Sequence, residues 1–135
     1  MLELTLDNND EAIRKKVECR LGELEELYGK VPFVSKALSE RPDIFLPYSY
    51  LADAAVQRTK YLDRKSAEIA AVAAGSALAS VHCLEVHIDA AYKAGASHDE
   101  LMEAIQIGAF MALTKSESVS LRVLDDHKTR HMIKE

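Results

Sequence analysis

The sequence predicts an all-α protein of about six or seven helices. Apolar residues recur at intervals of three and four over most of its 135 residues, as they do on one face of an α-helix. Residue types that start and stop helices punctuate this pattern. The alternating stretch at residues 1–9 has no visible partner strand. We therefore expect one domain over residues 1–135, with residues 1–9 as a flexible or strand-like arm.

Composition and charge limit the classes of function. The chain is 48% hydrophobic and 6% aromatic, enough for a core built mainly of aliphatic side chains. Its formal charge is −5 and it has no basic stripe, so nucleic acid is not an expected partner. No apolar run approaches the ~20 residues that span a bilayer, and no signal peptide is expected. The two cysteines form no CxxC pair, which favours a cytoplasmic protein without membrane contact.

Capping residues delimit the predicted helices in the first half of the chain. Asn9 or Asp10 is an N-cap for a helix that Gly29 ends, and Pro32 and Pro42 each open another helix. The stretch 58–62 then separates the third helix from the rest of the chain. The apolar stripe of the first helix consists of Ile13, Val17, Leu21, Leu24 and Leu27.

The middle of the chain predicts a central helical hairpin. Asp63 is a good N-cap for a helix over residues 64–79, and that helix is nearly all small and apolar after Glu68. Ser80 caps the next helix, which Gly95 closes. Because almost no linker separates the two helices, they must pack as an antiparallel pair through the core.

The last third of the chain predicts two more helices. Ser97 and Glu100 form a capping box that opens a helix over residues 98–114. A final helix over residues 117–133 is expected to follow a break at Ser116.

A thiol and two imidazoles lie within eight residues at the start of the second hairpin helix. Cys83 and His87 are four apart, on one helix face, and His82 is adjacent. At ~1.5 Å per residue from the turn, Glu68 and His87 come within about one helical turn in height. The helix N-terminus favours a thiolate at Cys83. These residues predict a proton relay, although Glu68 could instead pair with Arg64 or Lys65 in its own helix.

A metal site is the alternative for the same side chains. Cys83, His87 and Glu68 could supply three ligands to a zinc ion whose fourth position stays open. Nothing in the sequence requires a metal, so no cofactor is predicted.

These residues resemble the motif of the carboxymuconolactone decarboxylase family, which includes the alkyl hydroperoxidase D-like proteins. That motif has a carboxylate fifteen residues before the second cysteine of Cys-x-His-Cys-x-x-x-His, and Glu68 stands fifteen residues before Cys83. Residues 80–87, 90–96 and 99–101 are similar to the family pattern as well. The resemblance extends from about residue 29 to about residue 124.

The resemblance implies an alkyl hydroperoxidase D-like helical fold that assembles as a trimer or a hexamer. In hydroperoxidase-type members two cysteines cycle between dithiol and disulfide, while a glutamate and histidines relay protons. It thus implies catalytic roles for Cys83, His87, Glu68 and His82. Ser80 stands where the first cysteine of the pair would be, so an intramolecular CxxC disulfide cannot form.

The first interpretation is therefore an antioxidant, hydroperoxidase-like enzyme of peroxiredoxin type with a single redox cysteine. A small peroxide would oxidise Cys83 to a sulfenic acid. An external thiol, or Cys19 of another subunit, would then reduce it. Within its own subunit, Cys19 is expected at the flank or on the exposed side of the first helix, without a function there.

Two other interpretations use the same residues differently. A decarboxylase-like lyase would use His82 or His87 as acid and base on a small lactone acid, with Glu68 orienting the imidazole. Its substrate carboxylate would need a cation, and the nearest candidates are Arg58, Arg64 and Arg122. The third interpretation is a non-catalytic, homo-oligomeric helical module.

Overall fold

A computed structural model describes residues 10–132 of the chain, and these fold into six α-helices. The helices are α1 (Glu11–Tyr28), α2 (Phe33–Leu38), α3 (Pro42–Ala52), α4 (Arg64–Ala77), α5 (Val81–Lys93) and α6 (His98–Met132). No strand occurs in this part of the chain, so the all-α prediction is confirmed. None of the described helices combines the length and apolarity needed to cross a membrane. The predicted arm at residues 1–9 lies outside the described residues.

The structure has helix ends at three residues where the sequence predicted them, Asp63, Ser97 and Gly29. Asp63 Oδ1 accepts a hydrogen bond from the backbone N–H of Ser66 at 2.8 Å and so caps α4. Ser97 Oγ accepts from the N–H of Glu100 at 3.1 Å, and Glu100 Oε2 accepts in return from the N–H of Ser97 at 2.7 Å. Gly29 ends α1 with φ 75°, in the left-handed region that favours glycine.

The expected break at Ser116 is wrong, because α6 runs unbroken through this position. No glycine or proline follows Gly108 in the sequence to interrupt the helix. The hydroxyls of Ser118 and Ser120 donate to backbone carbonyls three and four residues earlier, at 3.0 and 2.9 Å. These polar residues are therefore satisfied inside the helix and do not end it.

A π-helical turn that the sequence did not predict extends α3 over Asp53–Gln57. The backbone N–H of Arg58 donates to the carbonyl of Asp53, five residues earlier, at 2.7 Å. A hydrogen bond of this span is typical of a π-helix, which is wider than an α-helix. The helix ends there, which agrees with the expected break at residues 58–62. The turn thereby places Gln57 between α3 and the start of α4.

Helix α5 lies between two apolar clusters and makes the α4–α5 hairpin central to the fold, as predicted. The first cluster joins α5 to α1 and α3, and its buried members are Ile13, Val17, Leu24, Tyr28, Phe45, Leu46, Val86 and Ala90. The second joins α5 to α4 and α6, and its buried members are Val72, Ala91, Ala96, Leu101 and Ala104. Burial of these two faces holds the hairpin in place.

Helices α4 and α6 approach each other closely at Gly108. A Cβ atom at this position would lie 2.0 Å from the backbone oxygen of Ala73. Ser76 Oγ also donates to the backbone carbonyl of Ile105 at 3.0 Å, which joins the same two helices. The absence of a side chain at Gly108 is therefore required for this contact.

We predict that Gly108→Ala destabilises the protein by about 3 kcal/mol, because the methyl group forces the two helices apart. Gly22→Ala is the matched control, since a Cβ at Gly22 of α1 has no atom within 4 Å. It should stabilise the protein by about 0.5–1 kcal/mol through helix propensity. Urea denaturation measures both free energies of unfolding. Equal effects of the two substitutions would contradict the close packing at Gly108.

Candidate active site

A fully buried carboxylate lies between the two helices of the central hairpin. The Glu68 side chain is 0% exposed. Its Oε2 lies 2.7 Å from Nδ1 of His87 on α5. Its Oε1 lies 2.7 Å from Nη2 of Arg64, one turn earlier on α4, in an ion pair that is not aligned as a hydrogen bond. Glu68 thus reaches His87 as predicted, and it also forms the alternative pair with Arg64.

The tight turn before α5 sets the position of Cys83 and His87. Ala79 has φ 51°, a left-handed conformation that costs an L-residue about 1–2 kcal/mol, and it reverses the chain within a few residues. Ser80 then caps α5, as predicted, and its Oγ accepts from the backbone N–H of Cys83 at 3.3 Å. The thiol therefore lies in the first turn of α5, one helical turn before His87.

The contact with Glu68 determines which nitrogen of His87 carries hydrogen. An ionised carboxylate only accepts hydrogen bonds, so Nδ1 of His87 is the donor. In the neutral ring Nε2 is then unprotonated and can accept a proton. The ring of Tyr28 lies edge-on to the imidazole, with the ring centroids 6.3 Å apart and the planes at 87°. The imidazole is therefore held on two sides.

A cavity of about 180 Å³ lies beside this histidine. His82, Cys83 and His87 contribute one part of its lining. The remaining lining residues are apolar, hydroxyl-bearing or amide side chains: Leu24, Tyr28, Pro32, Ser35, Tyr48, Ser49, Ala52, Val56, Gln57 and Val86. Within residues 10–132, no Lys, Arg, Asp or Glu lines this cavity. It is thus an uncharged chamber with a thiol and two imidazoles in its wall.

The other residues singled out by sequence lie away from this chamber. Arg58 Nε pairs with Asp53 at 2.7 Å, and Arg122 is exposed on the far part of α6. Cys19 is exposed on α1, as expected, and does not line the cavity. In the described part of the chain, no group of three acidic, His or Cys side chains is arranged to hold a metal.

A buried arginine, which the sequence did not reveal as important, connects α1 to the π-helical turn. Arg20 is 5% exposed, and its Nη2 donates to the carbonyl of Ser49 at 3.0 Å and to Gln57 Oε1 at 3.1 Å. The same Nη2 lies 3.2 Å from Asp53 Oδ1. Arg20 lies in the buried stripe of α1, between Val17 and Leu24. Its position in that stripe could therefore have predicted its burial.

Arg64 links this network to the carboxylate. Its Nη1 donates to the backbone carbonyl of Gln57 at 3.2 Å while its Nη2 contacts Glu68. The π-helical turn therefore holds the guanidinium that faces the buried carboxylate. No pattern in the sequence signals this link, since it depends on how the turn ends.

Tyr28 lines the cavity, and the sequence did not reveal it as a functional candidate. Burial raises the pKa of its phenol above the ordinary value, and the negative charge of Glu68 raises it further. The nearby Arg64 and Gln57 side chains lower the pKa of the phenol but do not reverse the shift. The phenol therefore stays protonated at neutral pH.

We predict that Glu68→Gln lowers the free energy of unfolding by about 2 kcal/mol, because it removes a buried charge that faces both Arg64 and His87. Glu11→Gln is the matched control, since Glu11 pairs with Lys15 at 3.1 Å but both side chains are more than 70% exposed. It should change stability by less than about 0.5 kcal/mol. Urea denaturation at pH 7 compares the two. Similar small effects would contradict a stabilising role for the buried pair.

Comparison with known proteins identifies the family. The profile of the Carboxymuconolactone decarboxylase family matches residues 42–126, which is more than half of the chain and includes Glu68, His82, Cys83 and His87. Comparisons with curated proteins and with solved structures gave no match. On the strength of the family match and the all-helical fold, the chain belongs to the carboxymuconolactone decarboxylase family.

Proposed function

We propose that this protein is a thiol-dependent hydroperoxidase in which Cys83 is the single redox residue and Glu68, His87 and His82 relay protons. One observation carries the proposal. The buried pair of Glu68 and His87 adjoins an uncharged cavity whose lining contains the Cys83 thiol. A base held by a buried carboxylate beside a thiol is the arrangement that activates a nucleophile.

In the proposed first step, Nε2 of His87 takes the thiol proton of Cys83, directly or through His82. The thiolate attacks the terminal oxygen of a hydroperoxide, so that an S–O bond forms while the O–O bond breaks. The alkoxide leaves with the bonding electrons and takes the proton back from the imidazolium. Cys83 is oxidised to a sulfenic acid, and the peroxide is reduced to an alcohol and the sulfenic hydroxyl. Glu68 stabilises the transient imidazolium.

The second step requires a thiol from outside the site. A first external thiol condenses with the sulfenic acid and releases water, and a second exchanges with the mixed disulfide to regenerate Cys83. Ser80 cannot serve as the resolving residue. Cys19 of the same chain does not line the cavity. A reducing cytoplasm, which two free cysteines favour, would supply the reductant.

The second candidate function is a lyase that acts on a small lactone acid. The pair of Glu68 and His87 suits acid and base catalysis equally well without the thiol. The uncharged lining argues for the hydroperoxide, since neither Arg58, Arg64 nor Arg122 lines the cavity to bind a carboxylate. A neutral hydroperoxide needs no such cation.

We predict that tert-butyl hydroperoxide converts Cys83 to a sulfenic acid that dimedone traps, as mass spectrometry of the Cys83 peptide can show. His87→Ala should slow this oxidation at least about tenfold, because the thiol loses its base. Cys19→Ser should leave the rate unchanged. Absence of oxidation in a folded protein whose Cys83 is still alkylated would contradict the hydroperoxidase function.

Two control variants separate the alternatives. Ser80→Cys places a resolving thiol three residues from Cys83, so the sulfenic acid should become an intramolecular disulfide and escape dimedone. Cys83→Ser should abolish peroxide turnover but would leave a lyase active. Decarboxylation of a lactone acid by Cys83→Ser would therefore favour the second candidate function.

We further propose that the protein is a homo-oligomer, a trimer or a hexamer. The second half of α6, residues 109–132, is almost entirely exposed in one protomer. Its exposed apolar residues include Phe110, Leu113, Leu121 and Leu124, which recur with helical spacing on one side. An exposed apolar stripe of this length indicates an interaction surface, and a second copy of the same helix offers a matching one.

We predict that light scattering after size-exclusion chromatography gives a mass of three or six times 15.0 kDa. The double substitution Leu121→Glu and Leu124→Glu should lower this mass, because charges would be buried in the interface. Lys115→Glu, on the opposite side of the same helix, is the control and should leave the mass unchanged. A monomeric wild-type protein would contradict the assembly.

A further inference from the structure

The cavity has a wall of hydrogen-bond donors that the proton relay does not use. Gln57 lies in this wall, and its Oε1 accepts from Arg20 Nη2 at 3.1 Å. Arginine has donors only, so this contact fixes which end of the amide faces Arg20. The amide oxygen points to the buried guanidinium, and the Nε2 donors remain for the other side.

Tyr28 continues this wall towards His87. The residue is 7% exposed and lines the same cavity. The Arg64 guanidinium lies over its ring, 5.7 Å from the ring centroid. The phenol stays protonated at neutral pH because burial raises its pKa, so its hydroxyl can donate a hydrogen bond into the cavity. A ligand oxygen in this cavity would therefore meet two neutral donors, the Gln57 amide and the Tyr28 hydroxyl.

We propose that Gln57 and Tyr28 form a hydrogen-bond donor pair that binds the oxygen of a small neutral ligand in the cavity. This inference rests on the proposed function when the ligand is a hydroperoxide, whose leaving oxygen the pair would then contact. Gln57 is held by the hydrogen bond from Arg20, and the Tyr28 ring packs beneath the Arg64 guanidinium. The donors are therefore positioned before the ligand enters.

The donor pair assists the step in which charge develops. As the thiolate of Cys83 attacks, the S–O bond forms and the O–O bond breaks, so that negative charge appears on the leaving alkoxide oxygen. Neutral donors stabilise that oxygen more than they stabilise the uncharged peroxide. The alkoxide takes its proton from His87 and leaves as an alcohol. Gln57 and Tyr28 contribute hydrogen bonds and no net proton.

The experiment compares two reagents at Cys83 in the Cys19→Ser protein. Iodoethane alkylates the thiol and has no oxygen, whereas tert-butyl hydroperoxide presents one to the donors. Tyr28→Phe removes the phenol, and Gln57→Glu keeps an acceptor for Arg20 while it removes the Nε2 donors. Each variant should lower the ratio of peroxide oxidation to alkylation about tenfold, as expected for one lost hydrogen bond. Circular dichroism establishes that the variants are folded.

A second readout does not require peroxide chemistry. tert-Butanol should slow alkylation by iodoethane in the Cys19→Ser protein, and this protection should weaken severalfold in both variants. An unchanged ratio and unchanged protection would overturn the donor pair. A wild-type protein that tert-butanol protects but that hydroperoxide does not oxidise would overturn the proposed function alone. If the variants slow alkylation as much as they slow peroxide oxidation, the donor-pair proposal is contradicted, because the substitutions would then have changed the reactivity of the Cys83 thiol itself.

Discussion

The burial of one carboxylate constrains the rest of this structure. Moving a carboxylate from water into a protein interior costs several kcal/mol unless charges and hydrogen bonds compensate. Glu68 meets this condition with Arg64 from its own helix and His87 from the next one. The two contacts require α4 and α5 to pack in one register, because a shift by one turn would separate Glu68 from His87. The hairpin is thus specified by a polar contact as well as by its apolar faces.

The contacts that hold the cation opposite the Glu68 carboxylate extend beyond the hairpin. Arg64 is itself tied to the carbonyl of Gln57, and Gln57 is tied to the buried Arg20. Gln57, the last residue of the π-helical turn, makes both contacts, the first through its backbone carbonyl and the second through its side chain. A chain of contacts thereby connects α1 to the imidazole of His87. A substitution at Arg20 is therefore expected to change the positions of Gln57 and Arg64, and through them the side chains beside the cavity.

Much of this arrangement could be predicted from sequence, and the exceptions have two causes. The caps at Asp63, Ser80 and Ser97 are local signals, and the height of Glu68 opposite His87 follows from counting residues on both sides of a short turn. The π-helical turn and the buried Arg20 depend on contacts far apart in the chain. Helix α6 stays unbroken for a local reason, because the hydroxyls of Ser118 and Ser120 bond to carbonyls of the same helix. The position of Arg20 in an apolar stripe predicts burial, but its residue type predicts exposure, because arginines normally lie on the surface. The second expectation outweighed the first.

The pair of Glu68 and His87 does not by itself decide between redox and acid–base chemistry, since an oriented imidazole serves both. The proposal of redox chemistry rests on the lining of the cavity. A substrate carboxylate brought into this cavity would lose its hydration and find no cation in the lining among the described residues. A neutral hydroperoxide would lose little hydration free energy on entering, and it would meet a thiol in the first turn of α5, where backbone N–H groups favour the thiolate. Ser80 caps that helix. In the proposed cycle, a serine at this position leaves the Cys83 thiol without a resolving partner in its own motif, so the reductant comes from outside the site.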